Sequence, residues 1–164
     1  TDNQIYLYTA AGTYLSTVAQ PAVADGWGWR DPGYDGGHFL YGGRVTNVWY
    51  VNEATFAVDY TFTVPAGPAL NRGVTVVNKV GNVIEGKSST FGTPIYSWTW
   101  TIGNATATVS TSCSIAGTTA VYGLAWDSGR NSLWATTAPG TAPLGLLFEV
   151  DATCAPRPGS PLDH

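Results

Sequence analysis

Charge is what this sequence has least of. Asp, Glu, Lys and Arg make up only 11% of its 164 residues, less than half the usual share of a soluble domain. A surface with so few charges is covered by Thr, Ser, Gly, Asn and aromatic side chains, which suits carbohydrate contact, close lateral assembly, or both. The seven Lys and Arg are scattered and the net charge is −4. Nucleic acid is therefore not an expected partner, since phosphate contacts require a basic face. His38 and His164 are the only two histidines, which excludes a site of three His ligands within one chain. No run approaches the roughly 18 apolar residues of a membrane span. Methionine is absent and the chain opens on Thr1 without a signal-type apolar segment, so the expectation is a removed leader or an excised piece. G-x-S-x-G, H-E-x-x-H, phosphate-loop and G-x-G-x-x-G patterns are all missing. The chain accordingly reads as a non-enzyme without a cofactor or metal.

The two cysteines, Cys113 and Cys154, are either reduced core thiols or a disulfide. The low charge, the lack of Met and the abundance of Thr favour the disulfide and an extracellular location. Closing such a loop contributes roughly 3 to 4 kcal/mol on the chain-entropy model.

What the chain does have is repetition. Residues 121–134, VYGLAWDSGRNSLW, read as two short strands around a tight turn. Residues 30–42, RDPGYDGGHFLYG, and 73–86, GVTVVNKVGNVIEG, overlay on them with Asp35, Asn78 and Asp127 as the shared turn residue. Third strands are expected at 47–51, 94–98 and 146–150, and fourth strands at 58–64 and 105–109. In the strand at 58–64, Val58, Tyr60 and Phe62, with Phe56 before it, are expected on one face. Residues 110–120 are expected as a loop anchored through Cys113. Several strands recurring at spacings of 43 (35 to 78) and 49 (78 to 127) residues predict an all-β fold of propeller-type blades, each of four antiparallel strands. The divisions are a half blade (strands three and four) at 1–19, blades at 20–68 and 69–120, an incomplete blade at 121–151, and a Pro-rich tail at 152–164. Such a chain does not close a ring alone. Its unfinished last blade is expected to leave an edge that recruits a strand from another copy, or from the rest of a longer chain.

The phrases Arg30-Asp31-Pro32-Gly33-Tyr34-Asp35 and Tyr122-Gly123-Leu124-Ala125-Trp126-Asp127 resemble the blade openings of secreted bacterial β-propeller repeat proteins. Pro32 and the displaced Arg72 depart from that pattern. The resemblance spans most of residues 2–151, and members of that class include lyases, lactonases and pure binding scaffolds.

Seven Trp and nine Tyr provide flat, amphipathic surface for sugar stacking, interface anchoring or inter-strand packing. Trp27 and Trp29, one glycine apart, are candidates for a ligand platform. Arg30, Arg72 and Tyr122 open successive blades and are expected near the central axis, with Asp31 beside them as a further ligand candidate. Asp25, Asp31, Asp35, Glu53 and Asp59 could pair for glycoside hydrolysis or hold calcium, but Asp35 and Asp127 occupy positions where turns favour Asp. His38 is expected to be hydrogen-bonded or on the surface. Asn104-Ala105-Thr106 matches the N-glycosylation pattern. The expected function is thus an extracellular module for surface assembly or adhesion. The alternatives are a carbohydrate-binding module and a fragment of a propeller enzyme.

Overall fold

A computed structural model of the chain describes residues 4–20, 29–43, 45–65, 73–89, 94–138 and 145–162. These residues form thirteen strands in four antiparallel sheets and no helix. Sheet I pairs β1 (Gln4–Tyr8) with β2 (Tyr14–Ala19). Sheet II runs in chain order through β3 (Arg30–Tyr34), β4 (His38–Gly42), β5 (Asn47–Asn52) and β6 (Val58–Thr63). Sheet III repeats the meander with β7 (Val74–Val80), β8 (Val83–Ser89), β9 (Pro94–Thr101) and β10 (Thr108–Ser114). Sheet IV contains β11 (Ala120–Asp127), β12 (Ser132–Ala138) and β13 (Leu146–Val150).

Short-range chemistry dictates the hairpins. Asp35 Oδ1 accepts from the amides of Gly37 and His38 at 3.1 and 2.8 Å, and Asp127 Oδ1 accepts from the Arg130 amide at 3.1 Å. Both are side chains substituting for a backbone turn bond. Asn78 does not share that role. It lies inside β7 beside a register shift, and the turn falls on Gly81-Asn82, with Gly81 at φ 57°. The fourth strand of sheet III is also displaced from expectation: Thr108–Ser114 is the strand, so Cys113 sits on a strand rather than in a loop. In β6 the expected single face is broken. A register shift opposite Tyr50 and Val51 turns Val58 and Phe56 towards sheet I while Phe62 faces sheet III, as a one-residue bulge must do when side chains alternate.

The sheets follow one another as layers. Each interior sheet has a trailing face towards the lower-numbered sheet and a leading face towards the higher. Ile5 of sheet I packs against Trp29, Tyr41, Trp49 and Val51 on the trailing face of sheet II. Leu40, Val48, Tyr50 and Phe62 on the leading face of sheet II meet Ile84, Trp98 and Trp100 on the trailing face of sheet III. Ile95 of sheet III joins Val121, Leu124, Leu133, Phe148 and Val150 of sheet IV.

The first strands of sheets II, III and IV converge. β3 packs on β7, and β7 on β11. Glycine makes both approaches feasible: a Cβ on Gly33 would stand 2.9 Å from the Val76 nitrogen, and one on Gly73 would stand 2.9 Å from the Leu124 nitrogen. Hydrogen bonds cross the second of these junctions, from the Trp126 amide to Thr75 Oγ1 at 3.0 Å and from Ser89 Oγ to the Tyr122 carbonyl at 3.4 Å. At the outer rim the amide of Ala107 donates to the Thr63 carbonyl at 2.8 Å, joining sheets II and III.

The tail does not leave the last sheet open. The amide of Leu162 donates to the Leu147 carbonyl, that of Arg157 to the Glu149 carbonyl and that of Asp151 to the Ala155 carbonyl, at 2.8, 2.8 and 3.0 Å. The Glu149 amide donates to Ser160 Oγ at 3.1 Å. The unpaired edge expected from the sequence is therefore capped within the chain, although prolines prevent a regular strand there. Asp151 Oδ1 gathers the amides of Thr153 and Ala155, forming the turn that presents Cys154 to Cys113. The two are disulfide-bonded across 41 residues. No helix among the described residues is long and apolar enough to cross a membrane.

Candidate functional site

Of the residues singled out from sequence, Trp27 and Arg72 lie outside the described residues, as do Asp25 and His164. Trp29 is placed in the core. It is 8% exposed, stacked on Tyr41 at 4.7 Å and near Trp49 at 5.6 Å between ring centroids. Its neighbours in sequence are more accessible. Asp31 is exposed, with φ at 35° beside the register shift between Arg30 and Gly33, a conformation that is uncommon for a non-glycine residue. Desolvation pushes its carboxyl up from the usual carboxylate range, against the opposing charge of Arg30. Arg30 is half-buried, and Tyr122 is 38% exposed. Asn104 is exposed in a turn whose carbonyl accepts from Trp100 Nε1 at 2.8 Å.

Asp31 lines a cavity. It stands with Gly123, Ala125, Trp134, Thr136 and Leu147 around about 220 Å³ on the leading face of sheet IV. Trp134 and Leu162 also border an adjoining space of about 240 Å³ beneath the tail. The Arg130 guanidinium lies 5.9 Å from the Trp134 ring centroid and 2.9 Å from Glu149 Oε2. Glu149 is buried, and Ser132 Oγ donates to it at 2.8 Å. This face is the counterpart of the apolar face that sheet II presents to sheet III: the cross-strand pair Leu40–Tyr50 corresponds to Trp134–Glu149.

Between sheets III and IV lies a larger cavity of about 300 Å³, lined by Glu85, Lys87, Ser97, Thr99, Trp126 and Asn131 among others. Lys87 and Ser97 are direct cross-strand partners, and Lys87 Nζ donates to Ser97 Oγ at 2.7 Å. Lys87 is only 6% exposed, and burial lowers its ammonium from the usual lysine range. None of these four sheet III residues was flagged from the sequence. The available signal was polarity at alternate positions: Ser97 and Thr99 interleave with Trp98 and Trp100, and Lys87 sits alone among Gly86, Ser88 and Ser89.

Asp35, Asp59 and Glu53 bond to neighbours within sheets II and III. Asp35, its side chain fully buried, accepts from Tyr50 Oη and Lys79 Nζ at 2.7 Å each. Burial alone would raise its carboxyl, but hydrogen bonds from Lys79, Tyr50 and the His38 amide outweigh it and hold the carboxyl below the usual range. His38 stacks on Tyr50 at 4.0 Å and meets Asp59 Oδ2 at 2.9 Å. Glu53 accepts from Tyr34 Oη at 2.7 Å. No group of three or more His, Cys, Asp or Glu among the described residues is placed to hold a metal. No protein-family model and no curated protein matches the sequence.

Proposed function

We propose that the four sheets are blades of an extracellular, non-enzymatic propeller-type array whose work is assembly or adhesion at a surface. The observation that carries this reading is the pair of unmatched faces at its two ends. Every interior junction joins a leading face to a trailing face. The leading face of sheet IV is only partly covered by the tail, with Ala125 and Thr136 exposed and Trp134 and Leu147 half-buried among the described residues, and sheet I has an outward face on which Tyr6, Tyr8 and Tyr14 are 46, 57 and 53% exposed. The two faces are of the complementary kinds, so sheet I of a second copy is the occupant that repeats the junction already used inside the chain. Grouped aromatics of this type are favoured interface anchors. Completion through faces replaces strand addition at β13, whose outward backbone groups the tail already satisfies. The intramolecular disulfide supports the extracellular location.

Sedimentation of the 164-residue chain across a concentration series tests this reading. It predicts reversible association that disappears in Ala125→Lys, a change at an exposed position on the leading face of sheet IV. A chain that stays monomeric throughout, or an Ala125→Lys variant that associates as well as the parent, would count against it.

A further inference from the structure

A buried ammonium without a counter-charge is costly, and proteins normally pair or neutralise one. Of the two lysines, Lys79 has Asp35 within 2.7 Å, whereas no carboxylate among the described residues lies within 4 Å of Lys87 Nζ. Ser97 Oγ takes one of its three donors. The remaining two belong to a side chain more than nine-tenths buried in the wall of the cavity between sheets III and IV. The other groups are of a different kind. Glu85, at the same wall, accepts hydrogen bonds and repels a second negative charge. Thr99 and Asn131 offer neutral donors and acceptors, and Trp126 supplies aromatic surface. A volume of about 300 Å³ stands at the small end of ligand sites, which limits the occupant to about one ring.

We propose that this cavity binds a monosaccharide-sized acid, its single carboxylate on Lys87 Nζ and its hydroxyls shared among Glu85, Thr99 and Asn131 beside Trp126. Such a uronate-type ligand supplies the anion that Lys87 lacks and hydroxyl donors that Glu85 can accept. A neutral sugar leaves the ammonium unpaired, and a bare carboxylate leaves the rest of the wall unused. Binding restores Lys87 towards the ordinary lysine range, because the carboxylate stabilises the ammonium that burial disfavours. The site is independent of the end-to-end association proposed above, since it lies inside one copy.

The test uses the whole chain with D-glucuronate, D-glucose and acetate as probes, followed by calorimetry and by amide and indole shifts in nuclear magnetic resonance. Glucuronate is expected to bind at least tenfold more tightly than glucose or acetate, shifting the Trp126 indole and the amides around Lys87 and Ser97. Lys87→Met is expected to lose at least tenfold of that affinity while keeping the parent spectrum elsewhere. Should that variant fail to fold, the shifts in the unmodified chain decide the matter alone. Equal binding of glucuronate and glucose, equal binding of acetate, shifts confined to other parts of the molecule, no binding at all, or a folded Lys87→Met variant of unchanged affinity would each overturn the proposal.

Discussion

The junction between sheets II and III and the junction between sheets III and IV share a geometry and differ in chemistry. In the first, Phe62 stacks on Trp100 at 4.1 Å and meets Trp98 edge-on at 5.6 Å, and the facing cross-strand pair is Leu40–Tyr50. In the second, the corresponding pairs are Glu85–Thr99 and Lys87–Ser97, and a cavity replaces the aromatic filling. The first junction also pairs its buried charge, Asp35 with Lys79, while the second leaves Lys87 with a hydroxyl. The difference shows how adhesion within the row is divided. Aromatic burial holds sheets II and III together. Sheets III and IV are held by a smaller cluster around Ile95 and Leu133 and by the disulfide, which leaves their polar wall available.

The largest expected effect is truncation in the filled junction. Trp98→Ala should cost about 3 to 5 kcal/mol in urea unfolding, the range for a buried tryptophan. Trp126→Ala, at the half-buried rim of the cavity, should cost only about 1 to 2 kcal/mol because less apolar area is lost. Equal losses would erase the contrast. Next comes the covalent brace: replacing Cys113 and Cys154 together by Ser should lower stability by about 3 to 4 kcal/mol on the chain-entropy model, read as a fall in the urea midpoint.

How far the sequence anticipates this molecule depends on which of its signals are local. The strands and hairpins were readable because Gly-Asn and Asp-Gly turns and period-two patterns are written within a few residues. The strand at Thr108–Ser114 reads as a loop from sequence because Ser and Thr dominate both exposed strands and loops, and nothing nearby marks Cys113 as paired with Ile95. The burial of Trp29 is not legible locally, because it depends on Tyr41 and Trp49, twelve and twenty residues away. The Lys87–Ser97 pair is a matter of register between strands, which no single stretch of sequence specifies. The capping of β13 by a proline-rich tail follows from where the tail lies, not from its composition.

The lysines give a smaller effect with opposite signs. Lys79→Met strips Asp35 of its counter-ion and should destabilise by about 2 kcal/mol, below the range for a fully buried pair because Lys79 is partly exposed. Lys87→Met removes an unpaired charge and should be neutral or stabilising by up to about 1 kcal/mol. Matching signs in thermal unfolding would break the comparison.

The smallest effect is in pH dependence. Asp35 is held below its unfolded value of about 3.9, so its contribution is complete above that pH and is lost as pH falls through the lower folded value. Asp35→Asn should therefore flatten the acid limb of the stability curve. Lys87 is also lowered, so the folded state releases its proton first, and stability should rise with pH between its folded value and about 10.4. Subtracting the Lys87→Met curve from the parent curve isolates that rise, and a difference curve flat across the alkaline range would contradict it.

The end faces remain the centre of the account, and site-directed disulfide trapping examines them most directly. One population carries Tyr8→Cys on the outward face of sheet I, the other Ala125→Cys on the leading face of sheet IV. Mixed under mild oxidation, the two should yield a covalent heterodimer well above the product from either population alone. Equal trapping within each separate population, or none in the mixture, would contradict the proposal that the two faces meet.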